Sequence, residues 1–167
     1  MKRSLLILSF LLFSIAQANC QEVKNIRITE PEFSGTVVFV NDTIGNGILL
    51  EQQTATLEEG IVTLKYAVKH CCSSVFADTI NSQFIVRVSD NSINPNDVIS
   101  ITNTKIENTK RTWKYSKPET IEFKAKKYGT SSYVISVPRL HPGQYVISFK
   151  NSNSVNLFGV KLIKENL

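Results

Sequence analysis

The segment with the most reactive side chains is His70-Cys71-Cys72, which places an imidazole beside two thiols. A cysteine nucleophile needs a base within hydrogen-bond reach and a third group that orients the base. Neighbouring residues of a strand point to opposite faces, so His70 is poorly placed to activate Cys71. A thiol-dependent or hydrolytic site at these three residues therefore requires a partner that the fold brings in, such as His141.

A second segment, Lys110 to Lys117, combines aromatic and basic residues. In an extended chain one face of it carries four large side chains, Arg111, Trp113, Tyr115 and Lys117. Alternate residues of a strand lie about 6.5–7 Å apart, a spacing at which two rings can stack on successive sugar rings. Arg111 could add a cation–π contact. The alternative is that Trp113 and Tyr115 belong to the core and are covered by the stems of the two basic residues.

Other polar groupings do not match a catalytic or metal-binding pattern. Structural zinc sites use four ligands, often as two spaced pairs, and no second pair accompanies Cys71-Cys72. The stretch from Asp90 to Asp97 has side-chain oxygens at alternate positions, but Pro95 and Ile101 stand where an EF-hand needs Gly and Glu. A looser calcium site stays open as an alternative to a simple turn. The sequence predicts no catalytic residue, no metal and no cofactor.

The first 18 residues have the pattern of a secretory signal peptide. Lys2 and Arg3 precede an apolar run of 11 residues, and Ala16 and Ala18 follow it. The run is too short to span a bilayer as a stable helix. We predict cleavage after Ala18 and export to the periplasm, the cell surface or the medium. The alternative is lipidation of Cys20 and an outer-membrane lipoprotein, although Asn19 and Gln17 fit a lipobox poorly.

Cleavage leaves residues 19–167 as a single domain of 149 residues. Its composition is that of a globular protein, because the whole chain is 42% apolar and 20% charged. Lys2 and Arg3 leave with the signal, so the formal net charge falls from +5 to +3. Nucleic-acid binding would need a concentrated basic face, which we do not expect here. No second membrane-length apolar segment follows the signal. Export favours disulfides, but the pairing of the three cysteines stays open.

Alternation of apolar and polar residues predicts strands along the mature chain. The clearest run places Phe84, Val86 and Val88 on one face. Two further runs do the same with Tyr133, Ile135 and Val137, and with Tyr145, Ile147 and Phe149. We find no convincing helix, since Thr54–Glu59 would form one turn at most. The pattern predicts an all-β fold, a β-sandwich of about 8–10 antiparallel strands with immunoglobulin-like or Greek-key connections.

The start of one strand has a specific pattern. Leu140-His141-Pro142-Gly143-Gln144-Tyr145-Val146-Ile147 resembles the L-x-P-G-x-Y-x-[VI] strand start of immunoglobulin-like and transthyretin-like sandwiches. Pro142 and Gly143 would form the turn, and we expect the Tyr145 hydroxyl to bond to the backbone.

More of the chain resembles a family of uncharacterised exported β-proteins of Bacteroidetes-type bacteria. The matching stretches are Leu50 to Gln53, Gln83 to Val88 with Asp90-Asn91 and Asn94-Pro95, Lys110-Arg111, Lys127 to Gly129, Ser132-Tyr133, Pro142 to Tyr145 and Asn156 to Val160. The chain departs from the family at Gln144, where Glu is usual, and at His70 to Cys72. The resemblance implies an exported sandwich-like domain and no activity.

Together these observations predict a non-enzymatic binding or structural module of the cell envelope. Its ligand would be a glycan or another envelope protein, recognised by an aromatic face or by an exposed edge strand.

Overall fold

The computed structural model describes residues 26–41, 46–59, 64–70, 72–107, 110–114 and 120–161. Several predicted features lie outside these ranges: the signal peptide 1–18, Cys20, Cys71, Tyr115 and Lys117. For Trp113 only the backbone is described. Predictions about these residues stay predictions.

The described chain is all-β, as the alternation predicts, with thirteen strands and one four-residue helix. The strands are β1 Val37–Asn41, β2 Asn46–Leu49, β3 Glu51–Thr54, β4 Thr56–Glu59, β5 Leu64–Val68, β6 Phe76–Ala77, β7 Ile80–Arg87, β8 Ile99–Glu107, β9 Lys110–Lys114, β10 Lys124–Tyr128, β11 Ser132–Arg139, β12 Gly143–Phe149 and β13 Ser154–Val160, and the helix is α1 Pro95–Val98. None of the described residues forms a helix of the length and apolarity needed to cross a membrane.

Five strands form an antiparallel sheet in the order β10-β11-β7-β1-β2. Its residues alternate as the period of two requires. Phe84 and Val86 of β7 point to the core between the sheets, whereas Ile85 packs on the opposite face. The β10 edge is rich in exposed lysine, which discourages pairing with another chain.

The other strands form a larger sheet in the order β3-β13-β12-β8-β9-β5-β4, with β6 added in parallel to β13. Strands β3 and β4 lie at the two ends of this order, yet only Ala55 separates them in the chain. The two ends of the sheet must therefore meet, and the sheet curls until it is nearly a barrel. We call it the curled sheet.

The main core lies between the two sheets and is held by a chain of aromatic rings. Phe39 and Phe84 of the five-stranded sheet have ring centroids 5.5 Å apart, and Phe158 of the curled sheet lies 4.8 Å from Phe84. Tyr145 stacks on Phe158 at 5.2 Å. Its hydroxyl donates to the carbonyl of His141 at 2.7 Å, so the predicted tyrosine bond to the backbone is confirmed.

Three local expectations differ from the structure. Thr54–Glu59 forms no helical turn, because it belongs to β3 and β4, which pair with β13 and β5. The stretch from Asp90 to Asp97 is a turn only in its first part and then enters α1, which Asn94 caps by accepting from the N–H of Asn96. The strand count also exceeds the expected 8–10.

Residues 26–30, which we call the N-terminal strap, cover the outer face of the five-stranded sheet. Ile26 and Ile28 pack there against Val40, Ile85 and Val134. Burial of such side chains is worth about 1.5–3 kcal/mol each when complete. The sheet is therefore apolar on both faces in its middle, which explains why Ile85 of β7 and Val134 of β11 are apolar although they point away from the main core.

Glu30 fixes the end of the strap to the β10–β11 turn. Its carboxylate accepts from the N–H groups of Thr130 at 3.0 Å and Ser131 at 2.8 Å, and it pairs with Arg87 at 2.6 Å. Gly129 has a φ of +56°, and a Cβ there would lie 2.3 Å from the carboxylate, so this turn requires glycine. Hydrogen bonds, with that of the Thr130 N–H the strongest, lower the pKa of Glu30 to about 2.

We expect Glu30→Gln to lower the free energy of unfolding at pH 7 by about 1–2 kcal/mol, allowing for solvent screening. The folded pKa lies below the ordinary value of 4.5, so this stabilisation is present above pH 4.5 and is lost as the pH falls toward 2. Urea unfolding of both proteins between pH 7 and pH 2.5 measures the difference. The exposed neighbour Glu32→Gln is the control. If the difference in free energy of unfolding between the original protein and Glu30→Gln does not shrink in acid, the charge of Glu30 does not stabilise the fold.

Candidate end cleft in the curled sheet

The concave face of the curled sheet encloses a second, smaller core. Val146, Val155 and Leu157 are buried there with Ala55 and Val68, and Tyr66 packs against them. Each of these residues lies one position from a residue on the opposite face, as Val146 does from Tyr145 and Ile147. At its centre the interior is therefore apolar, with a cavity at one end and the buried side chain of Arg111 toward the other.

The open end is a cavity of about 610 Å³, which we call the end cleft. Its lining comes from four strands, from the Ala55 link between β3 and β4, from α1 and from the β12–β13 turn: Ala55, Tyr66, Asn96, Asp97, Val98, Ile99, Ser100, Thr102, Ser148, Phe149, Lys150, Asn151, Ser152, Asn153 and Val155. This volume is in the range of natural small-molecule sites.

The walls of the end cleft are polar but nearly uncharged. Asp97 and Lys150 are the charged residues of its lining, and their formal charges offset each other. The other polar groups are hydroxyls and amides. Within the described part of the chain, the side chains of Ser100, Ser148 and Asn153 form no hydrogen bond with another residue, which leaves their polar groups available to a ligand.

Backbone hydrogen bonds hold the walls in place. The N–H of Ala55 donates to the carbonyl of Asn153 at 2.7 Å, and that of Lys150 donates to Val98 at 3.0 Å. The turn between β12 and β13 is closed by the N–H of Ser152, which donates to Phe149, and Asn151 takes a φ of 61°, a conformation that Asn tolerates. These bonds tie the β12–β13 turn to α1 and to the Ala55 link, which are two of the other walls of the end cleft.

The closed end of the interior is polar. Arg111 is fully buried, and its Nη2 donates to Oε1 of Gln144 at 2.7 Å. Burial lowers the pKa of Arg111 to about 10, while the nearby charge of Glu51 opposes this shift. Gln53 in turn donates to Glu51 at 2.5 Å. Arg111 is thus charged at neutral pH and seals the interior opposite the end cleft.

This position corrects the predicted ligand face at Arg111. The expected exposed face of Arg111, Trp113, Tyr115 and Lys117 does not hold for Arg111, because its side chain is fully buried and reaches Gln144. In register, Trp113 lies opposite Tyr66 of β5, a residue of the end cleft. Tyr115 and Lys117 lie outside the described residues.

In the structure, Cys72 of the predicted thiol site is not a free thiol. Cys72 is disulfide-bonded, and a disulfide sulfur is not a thiolate nucleophile. Its candidate partners Cys20 and Cys71 both lie outside the described ranges, so the pairing stays open. His70 is exposed, and its backbone N–H donates to Oε1 of Gln53 at 3.3 Å. Among the described residues, no three His, Cys, Asp or Glu side chains are grouped to hold a metal ion.

The end cleft was not predicted from the sequence, because its residues come from segments that are far apart in the chain. The one local signal is Asn151-Ser152-Asn153, a polar turn between two strands that indicates a loop without indicating what lines it. Comparison of the chain with protein-family models, with curated proteins and with solved structures finds no match.

Proposed function

We propose that this chain is a non-enzymatic binding module of the cell envelope that holds a neutral glycan in the end cleft. The observation that carries the proposal is the pairing of an apolar floor with hydroxyl- and amide-bearing walls whose two charges offset each other.

The chemistry of sugars matches this combination. A pyranose ring has an apolar C–H face, which can pack on Tyr66 and Val155, and a rim of hydroxyls that both donate and accept. Ser148 and Asn153 offer the same dual capacity from the walls. A strongly charged ligand would be desolvated here without a matching counter-charge, which is costly.

Binding is favoured over hydrolysis by the number of acids in the cleft. Glycoside hydrolysis uses two carboxyl groups about 5–9 Å apart. Among the described residues that line the end cleft, Asp97 is the one carboxylate. An envelope protein is the second ligand class, because β2 is an edge strand.

Several further assignments belong to the same proposal. They are export after cleavage at Ala18, the resemblance to the exported Bacteroidetes-type family, and an immunoglobulin-like or Greek-key sandwich type. The shared core of the two sheets supports the last of these. The mass of the protein recovered from native envelope fractions would distinguish cleavage at Ala18 from lipidation at Cys20.

We expect the folded protein to bind at least one member of an array of neutral glycans, with amide chemical-shift changes centred on the end cleft. Ser148→Leu places a bulky apolar side chain at the cleft wall and should weaken that binding about tenfold or more. Ser74→Leu, at an exposed position outside the cleft, is the matched control and should leave the affinity unchanged.

Two outcomes would overturn the proposal. One is the absence of binding to any neutral glycan of the array at millimolar concentration. The other is binding whose shift changes lie elsewhere and whose affinity is the same in the Ser148→Leu and Ser74→Leu proteins. Equal unfolding midpoints of the two variants would show that the comparison is made between folded proteins.

A further inference from the structure

A second, smaller cavity adjoins the end cleft. Its volume is about 200 Å³, and it shares Val98, Phe149, Lys150 and Ser152 with the end cleft. The rest of its lining comes from the five-stranded side of the molecule, at Ser34, Gly35, Val88, Ser89, Asp90 and Ile93. The two cavities therefore lie side by side and share these four wall residues, and we call the surface that they form together the groove.

Apolar and polar groups recur along this groove. Tyr66 lies in the end cleft, Val98 and Phe149 lie where the cavities meet, and Ile93 lies in the second cavity with 43% of its surface exposed. A linear glycan repeats the same combination, because each successive ring presents an apolar face and a hydroxyl rim. A single compact ligand would not use the second cavity.

The charges of the groove favour a neutral chain. Asp97 lines the end cleft and Asp90 lines the second cavity, so the two carboxylates lie in different cavities, and Lys150 is the cation that lines both. Asp90 is held in a turn in which Ser92 donates to it from both its N–H, at 2.8 Å, and its hydroxyl, at 2.7 Å. With two anions and one cation, the groove repels a polyanion, while fixed carboxylates remain good acceptors for sugar hydroxyls.

We infer that the ligand is a linear, uncharged oligosaccharide chain that lies across both cavities, with at least one sugar ring in each. This inference rests on the proposed function and adds to it the length and the charge of the ligand. Val98 and Phe149 then contact the chain in its middle, and Ile93 supports a ring that a short oligosaccharide would not reach.

The test uses β-1,4-linked glucan, mannan and xylan oligosaccharides and α-1,4-linked glucan oligosaccharides, each from two to eight units. For a series that binds, the affinity should rise about tenfold or more between two and six units. Ile93→Ser should weaken binding of the six-unit chain about fivefold and leave the two-unit chain unaffected. Ile80→Ser is the matched control, since Ile80 is 63% exposed at the opposite end of β7.

The outcomes separate the two proposals. If Ser148→Leu weakens binding but chain length and Ile93→Ser have no effect, the ligand is confined to the end cleft and the inference is wrong while the proposed function stands. If no oligosaccharide in any series binds, the inference fails, and the proposed function fails with it when no other neutral glycan of the array binds either. Tighter binding of a uronic-acid oligosaccharide than of every neutral series would also overturn the inference, because the groove would then favour an anion.

Discussion

Phe158→Ala is expected to lower the free energy of unfolding by about 3–5 kcal/mol. Phe158 is fully buried, and its ring lies between Phe84 of the five-stranded sheet and Tyr145 of the curled sheet. Truncation would remove the ring contacts on both sides and leave a cavity that the packed strands cannot fill by collapse. This cavity would lie at the junction of the two sheets, so we expect the truncation to destabilise the whole fold.

Urea unfolding measured by fluorescence and circular dichroism would test this expectation. Domains of this size are stable by about 5–15 kcal/mol, so the alanine variant should stay folded only at low urea concentrations. Phe158→Leu keeps much of the volume and should lose about 1–2 kcal/mol. Phe33→Ala, at a residue that is 73% exposed, should change stability by less than about 0.5 kcal/mol. If Phe158→Ala lowers the free energy of unfolding by less than about 1 kcal/mol, Phe158 does not hold the two sheets together.

The burial of residues that follow a strict period of two was predictable from the sequence. Tyr133, Ile135 and Val137 all lie in the main core, as do Tyr145 and Ile147. The physical reason is local, because the pleat fixes alternate side chains on opposite faces whatever the partner strand is. The same locality made the tyrosine bond to His141 predictable, since donor and acceptor are four residues apart.

Strand partners were not predictable in the same way. Residues 51–59 carry few large apolar side chains, and their pattern alone is compatible with a helical turn. They are strands because β3 pairs with β13 and β4 with β5, about a hundred residues away in the first case. The strand β8 was not predicted, although Ile99 and Ile101 alternate with polar residues. For β3 the deciding hydrogen bonds are long-range, whereas β4 pairs with β5, the next strand in the chain.

The candidate site follows from those long-range pairings. Only when β3 and β4 close the curled sheet does its concave face become an interior, with an open end at Ser148 and a closed end at Arg111. In the sequence the aromatic residues near Trp113 indicate a glycan ligand, whereas the end cleft of the structure is lined by other side chains, which this closure brings together. The two indications meet at Tyr66, which pairs with Trp113 in register and lines the end cleft.

Arg111 shows why charge is a poor guide to exposure in this chain. Lys110 precedes it and Lys114 follows, so the segment looks like a solvated strand. Nothing local shows that Gln144 lies within hydrogen-bond distance, because the two residues meet only through the pairing of β9 with β8 and of β8 with β12. A long side chain that fills an interior can be basic if its charged end finds an acceptor.

Arg111→Ala is expected to lower the free energy of unfolding by about 3 kcal/mol, because it empties the closed end of the curled sheet and removes the donor to Gln144. Arg111→Met restores much of the volume but leaves the Gln144 acceptor without this donor, so we expect a loss of about 1–2 kcal/mol. Replacing both residues, Arg111→Met with Gln144→Met, should return the protein to within about 1 kcal/mol of the original stability.

Urea unfolding of the three variants distinguishes the contribution of Arg111 packing to stability from the contribution of its charge. If the double methionine variant is as unstable as Arg111→Ala, the charge itself stabilises the fold through Glu51, and the packing explanation is wrong. If Arg111→Ala is as stable as the original chain, water replaces the guanidinium and the closed end is not sealed. The end cleft lies at the opposite end of the interior, so Arg111→Met should keep its glycan affinity as long as it remains folded. Loss of binding in that folded variant would show that the two ends of the curled sheet are coupled.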